Sequence, residues 1–288
     1  MESQTIKAAV RERYAGFVTN NQSCCPPASS CGCATDEDPS LRLGYEAQDL
    51  AAAPEGANLG LGCGNPVAMA SLQSGETVLD LGSGAGFDAF LASQRVGTEG
   101  HVIGVDMTPQ MIERATTLAK SHGYTNVEFR LGDIENLPVA DGSVDAIISN
   151  CVVNLSTDKA RVFREAHRVL KPGGRLMVSD LVLVRHLPTV IAQDMDAYGA
   201  CIAGALLKVD YLAAIKAAGF ENVAVVGERR YGLDMFSPEL LEAAKARYPG
   251  LSAEELALAA GAVLSIQVEG WKAESGRTCG CAPTCCGG

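Results

Sequence analysis

Of the 11 cysteines in the 288-residue chain, Cys63, Cys151 and Cys201 stand alone, each in a stretch of different character. Cys63 lies in the glycine-rich run "NLGLGCGNPVAM", which gives a thiol no helix or strand to fill. Cys151 directly follows "VDAIISN", and Cys201 falls in "DAYGACIAGALL", which reads as helix. Free cysteine is among the most buried residue types and behaves as a small hydrophobe, which would account for any one of the three. Three isolated thiols on segments able to converge suggest instead a three-coordinate site for a soft ion. Zinc ordinarily takes four ligands and favours close pairs such as CxxC, a spacing these three lack. A trivalent pnictogen, As(III) or Sb(III), takes three thiolates in a pyramid and keeps a lone pair on the open apex. The other eight cysteines form two short polar clusters, Cys24, Cys25, Cys31 and Cys33 in one and Cys279, Cys281, Cys285 and Cys286 in the other. Exposed thiols at such density suit redox exchange or capture of the same soft ion.

A second constellation surrounds "VLDLGSGAGFD". Gly82, Gly84 and Gly86 allow a sharp turn and close approach of a ligand to the backbone, and Asp80 sits at the strand end just before them. Asp106 ends the next apolar run, where a carboxylate can accept both hydroxyls of a ribose. Phe87 stands where a dinucleotide fingerprint wants its last small residue, which disfavours a pyrophosphate and hence a nicotinamide enzyme.

Elements able to position these groups are read from the alternation of β runs and amphipathic stretches. Strands are expected at 77–82, 101–107, 127–133, 144–150 and 175–181. Helices are expected at 87–96, 108–123 and 159–174, the last stopped by Pro172 and the glycine pair. Strands alternating with helices imply parallel βαβ units, with ligands gathering at the carboxyl ends of the strands. The expected class is α/β, a Rossmann-like doubly wound sheet with a smaller C-terminal α+β region. The division reads as an N-terminal helix and cysteine-rich segment (1–40), a main domain (41–181), a cap region (182–274) and a cysteine-rich tail (275–288). A net charge of −11 disfavours nucleic acid and anionic membranes as partners. No apolar run reaches transmembrane length and no signal peptide is apparent. The expected location is therefore cytoplasmic.

Over residues 66 to 181 this combination resembles the class I S-adenosylmethionine-dependent methyltransferases. The resemblance implies Asp80 near the methionine amino group, the glycines beside the sulfonium ligand, Asp106 on the ribose, and Asp133 with Ile134 of "GDIENLP" at adenine. Met107 and Asn150 complete the expected cofactor set. More narrowly, "LGCGNPVAMASLQSGETVLDLGSGAGFD", "SNCVVNLSTDKARVFREAHRVLKPGG" and "YGACIAGAL" resemble segments of the arsenite S-adenosylmethionine methyltransferases, a likeness over about residues 60 to 220. That family binds arsenite through cysteines mapping onto Cys63, Cys151 and Cys201. It also uses an upstream cysteine as redox partner of Cys63, for which Cys24, Cys25, Cys31 and Cys33 are all candidates. The implied activity is successive methyl transfer from S-adenosylmethionine to thiol-bound As(III), entering as arsenite or a thiol conjugate, with a glutathione- or thioredoxin-type reductant. The rivals are a methyltransferase of a small organic acceptor and a non-catalytic, thiol-rich metalloid-binding protein.

Overall fold

The computed structural model describes residues 3–19, 38–230 and 238–274, and both cysteine clusters lie outside them. The chain opens with α1 (Ser3–Thr19), then α2 (Ala47–Ala52) and α3 (Pro66–Met69), before the alternation begins: β1 (Thr77–Leu81), α4 (Phe87–Val96), β2 (His101–Asp106), α5 (Pro109–Ser121), β3 (Val127–Leu131), β4 (Val144–Asn150), α6 (Lys159–Val169) and β5 (Leu170–Leu183). After it come α7 (Thr189–Ala192), α8 (Met195–Gly199), α9 (Lys208–Ala217), β6 (Phe220–Arg230), α10 (Pro238–Arg247), α11 (Ala253–Ala260) and β7 (Val263–Lys272).

All seven strands join one sheet in the order β3-β2-β1-β4-β5-β7-β6. The first five are parallel, while β7 runs antiparallel between β5 and β6. The C-terminal region therefore contributes two strands to the same sheet. Its central strands are buried on both faces, hence the continuous apolar runs of β1, β2 and β4.

Helix α6 illustrates the covering layer. Asp158 caps its start by accepting from the Arg161 N–H at 2.9 Å, and Val162, Phe163, Ala166 and Val169 recur on one buried face. Val162, Phe163 and Val169 each contribute about 1.5–3 kcal/mol on burial. The helix stops at Val169 and not at the glycine pair, a correction to the expected span. Leu170 already pairs with Val144 in the sheet, and Lys171 to Gly174 bulge out before pairing resumes at Arg175. Pro172 disfavours helical backbone in the residue before it, so the helix ends early.

Candidate active site

The pairing of β4 with β5 sets the site. Asn150 is level with Ser179, so the next residues along, Cys151 and Asp180, emerge side by side. Both strands feed the carboxyl edge of the sheet, where the glycine turn after β1 also lies. Gly82 has φ +68°, and a Cβ there would stand 2.3 Å from Val152 Cγ2, so only glycine fits. Its N–H and that of Ser83 donate to the Val105 carbonyl, which pins the turn against β2.

A solvent-open cavity extends from this turn, lined by Asp80, Gly82, Gly84, Asp106, Met107, Asp133, Ile134, Asn150 and Cys151 of the expected set. Gly86 does not line it; a Cβ there would meet Phe129 and Phe90 in the core. Asp106 accepts from the N–H groups of Gly84 and Thr108 at 3.0 and 2.8 Å, a tie between turn and second strand. Asp80 is 2% exposed, and its Oδ2 has no hydrogen-bond partner. Burial, with Asp88 and Asp106 nearby, holds its carboxyl well above the usual carboxylate range. An orphaned, crowded carboxylate calls for a cation. The ammonium and sulfonium of S-adenosylmethionine have that charge, so these residues fit the cofactor.

Sequence reasoning passed over several neighbours. Asp88 accepts from the Tyr45 hydroxyl at 2.6 Å and from Asn150 Nδ2 at 3.1 Å, and burial raises it to about 6. Lys7 of α1 donates to Asp133 Oδ2 at 2.7 Å and to Glu135 Oε2 at 2.5 Å, fastening that helix over the cavity. Nothing in the local sequence marks either group, because each acquires its role from a distant segment.

The thiols of Cys63, Cys151 and Cys201 belong to one buried cluster with Val10, Leu155 and Leu181. These are free cysteines. The Cys63 N–H donates to Asn150 Oδ1 at 2.9 Å, and its thiol donates to the Ser179 carbonyl at 3.4 Å. Cys201 is not on a helix, as its sequence suggested: α8 ends at Gly199, and Cys201 sits in the turn beyond, its thiol donating to the Cys151 carbonyl at 2.9 Å. A Cβ on Gly204 would lie 2.4 Å from the Asn154 carbonyl, so close packing there shapes the chain as a turn. Cys151 (φ 59°) and Cys201 (φ 62°) are two of the four non-glycine residues with positive φ among the described residues. Such backbone costs about 1–3 kcal/mol per residue and persists where the surroundings over-determine it, commonly at functional sites.

Asp180 was also not foreseen. Its carboxylate accepts from Asn154 Nδ2, the Leu181 N–H and the Tyr211 hydroxyl at 2.9, 2.9 and 3.1 Å. Burial lifts it to about 7. Burial also raises Cys63, while the neighbouring Cys201 and Cys63 thiols, then burial, put Cys151 well above the ordinary thiol value.

Comparison with known proteins identifies the fold and the family. The sequence profile of a methyltransferase domain matches residues 72–219. The arsenite methyltransferase of Halobacterium salinarum is 51% identical over 232 residues, covering 78% of this chain and 59% of that protein. That of Aquipseudomonas alcaligenes is 43% identical over 175 residues, covering 58% and 50%. The crystal structure of an arsenic(III) S-adenosylmethionine methyltransferase from Chlamydomonas reinhardtii superposes with a TM-score of 0.62 at 32% identity, covering 84% of this chain and 76% of that one. Fold and site together define a class I S-adenosylmethionine-dependent methyltransferase. Only 59% and 50% of the lengths of the two curated relatives are spanned by this chain. The chain belongs to the arsenite methyltransferase family.

Proposed function

We propose that the protein transfers methyl groups from S-adenosylmethionine to trivalent arsenic held by Cys63, Cys151 and Cys201. The observation that carries this reading is the meeting of three buried free thiols, from three separate segments, in one cluster whose Cys151 also lines the cavity that the glycine turn opens. The cofactor supplies an electrophilic methyl group. Asp80 receives its ammonium, Asp106 its ribose, and Asp133 with Ile134 its adenine, while Gly82, Gly84, Met107 and Asn150 shape the channel between. Three thiolates on As(III) leave the arsenic lone pair free, so the acceptor carries no proton to remove and no general base is required. The residues' task is positioning. Methyl transfer forms an As–C bond as the sulfonium C–S bond breaks, and two electrons from thiols return the arsenic to the trivalent state.

Arsenite or its thiol conjugate is the substrate in this reading, and a glutathione- or thioredoxin-type thiol the reductant. The clustered cysteines at 24, 25, 31, 33, 279, 281, 285 and 286 are assigned to capture or redox exchange, with one of the first four as partner of Cys63. Against the rival of an organic acceptor, which gives the three thiols no task, the expected outcome is specific. Purified protein given arsenite, thiol and S-adenosylmethionine yields methylated arsenic by chromatography with mass detection. Cys151→Ser lowers the product by about 100-fold or more while cofactor affinity stays within about threefold. An unchanged yield from Cys151→Ser would sink the assignment.

A further inference from the structure

The thiols do not stand equivalently. Among the described residues, the donor atoms that lie within 4.8 Å of one another are the sulfurs of Cys63 and Cys151 and a carboxylate oxygen of Asp180, and all three residues are buried. Cys201 is not part of that set, and its thiol donates to the Cys151 carbonyl at 2.9 Å. Two sulfurs and one oxygen form a different donor set from three sulfurs. They suit a divalent ion of borderline softness, which takes four ligands, often three from protein and one from water.

Asp180 has the surroundings expected of a metal ligand. Ligating carboxylates are oriented by outer hydrogen bonds, and here Asn154 and the Leu181 N–H fix one oxygen while Tyr211 donates to the other. The second oxygen, with one donor, retains a lone pair. A carboxylate buried at 0% exposure, with no cation bonded to it, is costly in isolation. Nothing in methyl transfer to a three-thiolate arsenic uses it. Lys159, whose ammonium is tethered to the Asn154 and Ser156 carbonyls, adds positive charge nearby, which offsets the net charge of two thiolates and a carboxylate around a divalent ion.

We propose that Cys63, Cys151 and Asp180 form a binding site for a thiophilic divalent cation of the zinc and cadmium class, overlapping the trivalent site and excluding its occupant. Binding displaces the protons of both thiols to solvent and leaves one coordination position for water. Cys201 is dispensable for the divalent ion and Asp180 for the trivalent one. Cation binding is measured without cofactor, so its test does not depend on methyl transfer.

The test uses the full chain with the eight clustered cysteines replaced by serine, titrated with cadmium alone and with arsenite alone. The readouts are the ultraviolet thiolate-to-cadmium absorption and calorimetry, and thermal melting checks that each variant folds. The expected result is one cadmium per chain with the absorption of two thiolates, unchanged in Cys201→Ser and weakened about tenfold or more in Asp180→Asn. Arsenite shows the reverse, losing tight binding in Cys201→Ser and keeping it in Asp180→Asn. A cadmium band that drops by about a third in Cys201→Ser, with Asp180→Asn unaffected, would mean an ordinary three-thiolate site and overturn the proposal. Absence of cadmium binding overturns it as well, and neither result bears on arsenic methylation. The wild-type band strength and Cys201→Ser decide the matter even if Asp180→Asn proves unstable.

Discussion

Cys63 and Cys151 stand as neutral thiols at neutral pH. Burial raises Cys63, and the crowding of Cys201 and Cys63 raises Cys151 well above the usual range, so below that range the thiolate is the minor form. Two consequences separate arsenic binding from simple thiol reactivity. Alkylation proceeds through the thiolate, so Cys63 and Cys151 react with iodoacetamide more slowly than a free cysteine at pH 7.5, and their rates rise about tenfold per pH unit through neutrality. Arsenous acid, by contrast, exchanges hydroxide for thiol and carries the protons away as water. Its affinity for the site is therefore nearly flat between about pH 6 and pH 8. Mass spectrometry of alkylated peptides and equilibrium binding at several pH values give both slopes, and a site that alkylates at full speed at neutral pH would contradict the raised thiols.

At the scale of elements, the decisive piece is the short loop that carries Cys63. Asn150 holds it from one side, accepting the Cys63 N–H and donating to the Gly64 carbonyl at 2.8 Å, while Ser265 donates to the Cys63 carbonyl at 2.9 Å. The flanking glycines follow from that grip: a Cβ on Gly62 would lie 2.5 Å from Asn150 Nδ2, and one on Gly64 would lie 2.0 Å from Ser179 Oγ. Gly64→Ala must move the loop, with a cost of about 1–3 kcal/mol and about a tenfold loss of arsenite affinity at unchanged cofactor affinity. Adding Ser179→Ala removes the nearest atom and leaves Cβ at 3.0 Å, so the double variant recovers part of both losses. Equal affinities for single and double variant would refute this account of the glycines. The glycines and the lone cysteine between them were legible in the sequence, as were the β runs and the turn at 82–86, because such signals are local. Cys201's turn was not, since its alanine-rich surroundings favour a helix that tertiary packing at Gly204 overrides. Asp180 reads as one more strand residue until register places it beside Cys151. The Ser252–Glu255 capping box does announce α11 locally, and hydrophobic periodicity alone passes over it.

On the scale of the whole molecule, charge governs what reaches the site. The chain carries −11 at neutral pH, and Asp80, Asp88, Asp106, Asp133 and Glu135 line the cavity against a single lysine, Lys7, among its lining residues. α1 bridges the cavity wall through that lysine and reaches the thiol side through Tyr14, whose hydroxyl faces the Gly199 carbonyl at 3.5 Å. In the proposed reaction both ligands approach one acidic face. S-adenosylmethionine is a cation in its sulfonium half, and such a field draws it in. A glutathione conjugate of arsenic is an anion, since each tripeptide carries two carboxylates and one ammonium, and the same field opposes it. Neutral arsenous acid feels neither effect. Salt screens charges over about 10 Å at 0.1 M, so raising ionic strength is expected to slow cofactor association and quicken arrival of the conjugate. The rate for arsenous acid should stay constant. Stopped-flow measurements with each ligand at a series of salt concentrations distinguish the three slopes. If the conjugate instead slows with salt, a basic entry route must lead it to Cys63 and Cys151, and the overall charge would not be what governs delivery.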